Sequence, residues 1–163
     1  MAHGYYTSPA LHGRTLVFVS EDDLFIVDSL PKQLLENGGG DDDGSMDSRP
    51  LIASRLTTCS ARDGLRASNP CISPCGKWVA YVCGSDERGD DVWIVPTQGG
   101  ATEQLTFEGV PADKQRGLAV RGWSPDGTQV LYATPSFSTL PDQQLALVTA
   151  FGSRRGESAV LPL

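Results

Sequence analysis

Two stretches of the chain carry the same turn with the same kind of strand behind it. NPCISPCGKWVAYVC, from Asn69, and RGWSPDGTQVLYAT, from Arg121, superimpose on Ser-Pro-x-Gly, and Ser73 lies 51 residues before Ser124. Such a period constrains the fold strongly. A repeat of about 40–50 residues built from short strands is one unit of an array, and its faces are buried only against neighbouring copies. The turn itself has a mechanism. Pro74 and Pro125 preset φ at about −65°, the Asp126 carboxylate can accept hydrogen bonds from nearby amides, and Gly76 and Gly127 tolerate positive φ.

Each turn is followed by a strand that is apolar on both sides: Trp78, Ala80 and Val82 against Val79, Tyr81 and Cys83 in one copy, Val130 and Tyr132 around Leu131 in the other. Strands of this kind belong inside a stack of sheets rather than on a solvated surface. A third strand follows in each copy, DVWIVP at 91–96 and QLALVT at 144–149, and a short fourth closes it, ending at Thr106 and Leu163. The same template fits the N-terminal third without Ser-Pro-x-Gly. Pro9 aligns with Pro70, Leu11 with Ile72 and Gly13 with Gly76, EDDLFIVD matches the third strand and PLIASRLT the fourth. Leu56 and Leu105, each followed by Thr, are 49 residues apart.

The expectation is an all-β chain forming a partial β-propeller of three four-stranded blades, half of a six-bladed ring. The blades are placed at 5–57, 58–106 and 107–163 within a propeller region covering 1–163. With 18 Gly and 11 Pro, the chain has the turn density that many short strands require. The stretch 36–48, ENGGGDDDGSMDS, has no apolar residue but Met46 and reads as an acidic insertion in the first blade. Three blades do not close a ring, so the terminal faces are expected to seek further blades.

Chemical motifs give way to structural readings one by one. Cys71 and Cys75 have zinc-like spacing, but no second Cys or His pair follows: Cys59 and Cys83 stand apart, and His3 and His12 lie in another unit. Cys75 simply occupies the turn position of Asp126, keeping the turn without its carboxylate. The insertion has consecutive aspartates and no Glu at the twelfth loop position, so it is not an EF-hand. GWSPD lacks the second Gly of a nucleophile elbow, and the Ser29-x-x-Lys32 match has no companion motif. Gly38 to Gly40 and Gly99-Gly100 are turn glycines rather than a phosphate cradle. No catalytic residue, cofactor or metal site is therefore expected. The net charge of −7 argues against nucleic acid. No basic-plus-apolar leader opens the chain, no run approaches the roughly 20 apolar residues of a membrane span, and the four cysteines suit reduced thiols, which together point to a cytoplasmic protein.

Ser-Pro-Asp-Gly before an apolar strand, a DVWIV strand and a closing QLT resemble the TolB/tricorn type of propeller repeat. Two longer segments resemble tricorn proteases more specifically. YTSPALHGRTLVFVSEDDLFIVD, from Tyr6 to Asp28, is similar to their opening, and 105–148, with Pro-Ser-Phe-Ser at 135–138, is similar to their third blade. The resemblance implies an N-terminal six-bladed propeller in a large cytoplasmic serine peptidase of oligopeptides, often hexameric, whose catalytic residues lie far beyond this segment. It implies partners as well: the remaining blades, the catalytic domains and peptides in transit through a channel that the propeller walls. A free-standing TolB-like binding module, completing its ring by self-association, is the alternative, and a propeller of the prolyl-oligopeptidase type is a third.

Overall fold

The computed structural model describes residues 5–31, 51–61, 64–111, 117–138 and 142–162; the acidic insertion 36–48 lies outside them. Among these residues, twelve strands form three four-stranded antiparallel sheets, each built from consecutive strands. The first contains β1 (Thr7–His12), β2 (Thr15–Ser20), β3 (Asp23–Val27) and β4 (Ser54–Arg55). The second contains β5 (Arg66–Ile72), β6 (Trp78–Ser85), β7 (Gly89–Pro96) and β8 (Glu103–Gln104). In the third are β9 (Ala119–Trp123), β10 (Gln129–Thr134), β11 (Gln144–Thr149) and β12 (Ser158–Val160). A 3₁₀ turn, Cys59–Ala61, lies between the first sheet and the second. Among the described residues no helix is long and apolar enough to cross a membrane.

The doubly apolar strands become legible in the middle sheet. Along β6, Val79, Tyr81 and Cys83 pack on one side with Val17, Val19, Leu24 and Ile26 of the first sheet. Ala80 and Val82 pack on the other side with Val130, Tyr132, Ala146 and Val148 of the third. Successive side chains of a strand point to opposite faces, so one strand feeds two cores. Trp78 and Trp123 both close on Phe151, at centroid distances of 5.0 and 6.2 Å, sealing the second core. The three sheets do not close on themselves.

The first strands converge, with β5 packed against both β1 and β9, while the fourth strands lie at the periphery. The sheets therefore fan outward from a line of inner strands. Among the described residues, two faces of the fan have no neighbouring sheet. On the first sheet the half-buried Leu16, Phe18 and Phe25 face outward, with Phe18 stacked on Phe25 at 5.9 Å, Tyr6 edge-on to Phe18 at 5.2 Å and Arg55 over Phe25 at 5.4 Å. On the third sheet, Leu131, Leu145 and Leu147 are half-buried between the buried residues of the shared core.

The fourth strands are shorter than the alternation of PLIASRLT and GGATEQLT leads one to expect. Only Ser54–Arg55 and Glu103–Gln104 pair as ladder. After them the ladder passes to side chains, because Thr57 and Thr106 Oγ1 accept the amides of Leu24 and Val92, both at 2.9 Å.

Candidate functional site

The inner strands shape a concave polar surface. A cavity of about 710 Å³ is lined along β5, β9 and their flanks by Arg66, Asn69, Asp86, Asp90, Arg121 and Gln143, among others. All three inner strands are interrupted. Register slips between Thr7 and Ala10 of β1, between Ser68 and Cys71 of β5, and opposite Leu131 and Tyr132 in β9. Bulges of this kind re-aim side chains and are common at rims and binding sites. Two of them hold non-glycine residues in the left-handed region, Ser8 at φ 50° and Asn69 at φ 49°, each immediately before a proline. Such conformations are costly for residues with a Cβ and persist where the surrounding fold imposes them.

Charge on this surface is mixed. Arg66 is paired with the exposed Asp86, while Gln143 Nε2 donates to the Gly117 carbonyl at 2.5 Å. Burial pushes the Asp90 carboxyl above its usual range, although the neighbouring Arg66 opposes the shift. Guanidinium, carboxylate and amide groups around one concavity suit hydrogen bonding to an extended polar chain. Among the described residues no cluster of three or more His, Cys, Asp and Glu is placed to hold a metal.

The turn residues singled out in the sequence lie elsewhere, between first and second strands. Ser73 N donates to the Trp78 carbonyl at 2.8 Å and Gly76 N to the Ser73 carbonyl at 2.9 Å; Ser124 with Gln129, and Gly127 with Ser124, repeat this at 2.9 and 2.8 Å. Gly76 and Gly127 have φ of 71° and 70°, and Pro74 and Pro125 occupy the corners. Asp126 accepts from Ser124 Oγ at 2.5 Å, Thr128 N at 3.1 Å and Thr128 Oγ1 at 2.9 Å, contacts that hold its carboxyl below the usual range. Cys75 offers in its place a sulfur, 3.4 Å from Ser73 Oγ and also hydrogen-bonded by the Lys77 amide. Gly13, at φ 56°, sits in the two-residue turn between His12 and Thr15. Cys71 lies in β5 and Cys75 in the turn, so the pair is divided between two local structures.

Two polar devices were not apparent from motif reading. The first is a carboxylate clip inside a sheet. Asp23 Oδ1 accepts from Thr57 Oγ1 at 2.9 Å and Cys59 N at 2.5 Å; Asp91 Oδ1 accepts from Thr106 Oγ1 at 3.0 Å and Glu108 N at 2.7 Å. Both join the head of a third strand to the end of the fourth. The signal was present as Leu-Thr after β4 and β8, but its Asp partner is 34 residues away in one copy and 15 in the other. The second device links sheets. The Glu108 carboxylate accepts from Tyr132 Oη and Thr134 Oγ1, both at 2.7 Å, tying the second sheet's exit to β10. One interface earlier, Cys59 and Cys83, remote in sequence, meet with their sulfurs 3.3 Å apart.

Residues 3–161 match the family model described as the tricorn protease N-terminal beta propeller domain. The chain is 28% identical over 133 residues to tricorn protease homolog 1 of Streptomyces coelicolor, covering 82% of this chain and 10% of the relative. It is 34% identical over 137 residues to putative tricorn protease homolog 2 of the same organism, covering 81% of this chain and 9% of the relative. The chain thus spans about a tenth of the length of these relatives. A crystal structure of the tricorn protease superimposes with a TM-score of 0.64 at 20% identity, over 89% of this chain and 12% of that one, a likeness of fold.

Proposed function

The chain belongs to the tricorn protease N-terminal β-propeller family, and from that membership we propose that it is a non-catalytic propeller segment of a cytoplasmic tricorn-like serine peptidase. In this reading the propeller walls a channel through which oligopeptides pass. The remaining blades and the catalytic domains are its partners, in an assembly that is hexameric by family resemblance. The observation that carries the proposal is the concave polar surface along β1, β5 and β9, where bulged inner strands bring Arg66, Asp90 and Arg121 around one cavity. A peptide backbone is extended and rich in donors and acceptors, so a wall of mixed polar groups lets it slide without binding it tightly.

Two measurements test this. The isolated chain, incubated with fluorogenic oligopeptides, should give no turnover; turnover abolished by replacing a serine within it would overturn the non-catalytic reading. In the intact peptidase, Arg121→Glu should alter KM for charged peptides with kcat nearly unchanged, because passage rather than chemistry is touched. Identical KM values for acidic and basic peptides in both forms would remove the channel role.

A further inference from the structure

The three sheets are similar enough for positions to be matched through their ladders. Ala80 pairs with Ile94 as Leu131 pairs with Leu147, and Leu56 and Leu105 donate to Leu24 and Val92 in the same way. By this register Cys59 occupies the position of Glu108, Cys83 that of Thr134 and Tyr81 that of Tyr132. The link from Glu108 to Tyr132 and Thr134 is therefore replaced, one interface earlier, by two cysteines beside a tyrosine. Both partners of the link have become thiols together. The Cys83 S–H points at the Cys59 sulfur at 3.3 Å, and both residues are buried. A cavity of about 170 Å³ reaches them, lined by Thr57, Cys59, Tyr81, Cys83 and Thr102 and by the exposed Thr58, so water-sized molecules have room beside the sulfurs.

We infer that Cys59 and Cys83 form a reversible dithiol–disulfide couple, oxidised by small hydroperoxides, that covalently staples the first blade to the second. Cys59 attacks one oxygen of the peroxide, breaking the O–O bond; the sulfur becomes a sulfenic acid, and the other oxygen leaves with the thiol proton as water or alcohol. Cys83 then attacks the Cys59 sulfur, forming the S–S bond and releasing the sulfenic oxygen, with the Cys83 proton, as water. Two electrons pass from the thiols to the peroxide, and a dithiol reductant reverses the step by exchange. The surroundings favour Cys59 as the attacking group. The hydrogen bond from Cys83 lowers it to about 7 against the opposing effect of burial, while the same contact and burial hold Cys83 up. Half-buried Cys71, raised by burial, and exposed Cys75 have no neighbouring thiol partner in this cavity.

This inference stands on the sulfur geometry and is independent of the channel reading. Its test is peptide mapping of the full chain after mild hydrogen peroxide treatment, alkylation of the remaining thiols and trypsin digestion without reductant. The expected result is loss of two of the four free thiols, with peptide 56–62 joined to peptide 78–88 at the mass of both less two hydrogens, reversed by dithiothreitol. The oxidised chain should also melt at a higher temperature than the reduced chain, a difference absent in Cys83→Ser. If that variant does not fold, the mapping of the unaltered chain decides. Cys59 and Cys83 both remaining alkylatable while Cys75 oxidises would overturn the inference. So would Cys59 advancing to sulfinic acid with Cys83 free.

Discussion

Cys75 occupies the turn position that Asp126 holds one repeat later, and the two residues leave their turns differently tied. Asp126 gathers a hydroxyl, an amide and a second hydroxyl on carboxylate oxygens, whereas Cys75 meets the Ser73 hydroxyl and the Lys77 amide through sulfur, a weaker acceptor. Cys75→Asp should therefore stabilise the fold by up to about 1 kcal/mol, the scale of one exposed hydrogen bond, read as a higher urea midpoint. Asp90 makes the opposite case, since burial raises its carboxyl above the value it has in an unfolded chain. With the folded value above the unfolded one, the contribution to stability is present below the unfolded value and is lost as pH rises through the folded value. Above the unfolded value, Asp90 is thus a net cost to the fold. Asp90→Asn should raise the urea midpoint at pH 7, and the gain should shrink as the pH falls toward about 4.

The elements were legible in the sequence wherever side-chain alternation carried the information. β6, β10 and β11 follow from their apolar runs and from the repeat, because a strand between two sheets must be apolar on both faces. The ends of the fourth strands were not legible. There a threonine hydroxyl takes over from a backbone carbonyl in receiving the Leu24 and Val92 amides, and periodicity does not register a side chain acting as ladder. The bulges at Ser8 and Asn69 escaped for a similar reason, since matching Pro9 to Pro70 fixes φ at the prolines and not at the residues before them. Cys59 and Cys83 escaped because they belong to different sheets and only the folded register brings them together. The threonine clip makes its own prediction. Thr106→Val keeps the volume but leaves the Val92 amide without its acceptor and removes one donor from Asp91, so it should cost about 1–3 kcal/mol. Thr57→Val should cost a similar amount through Leu24 and Asp23. A loss under about 0.5 kcal/mol for both in chemical denaturation would show that the clip is filled by water instead.

At the scale of the molecule, the same position has different surroundings in different blades, and that difference is measurable. Leu16 in β2 corresponds through the ladder to Val79 in β6 and Val130 in β10, all on the face turned toward a preceding blade. Val79 and Val130 are fully buried by such a blade, whereas Leu16 is only half-buried beside Phe18 and Phe25. Val130→Ala should then cost about 2 kcal/mol in the 163-residue chain, from two lost methyl groups and the space they leave. Leu16→Ala removes more carbon, yet should cost less than a fully buried leucine would, because part of that surface already meets water. Where another blade covers the first, that relief should be lost. Leu16→Ala would rise into the range of about 2–5 kcal/mol typical of a buried leucine, while Val130→Ala stayed where it was. Paired urea titrations of the two variants, in this chain and in a longer form carrying the remaining blades, measure that rise directly. A Leu16→Ala cost that is equal in both forms would mean that the aromatic face of the first blade is not an inter-blade surface, and that ring closure does not run through β2 and β3.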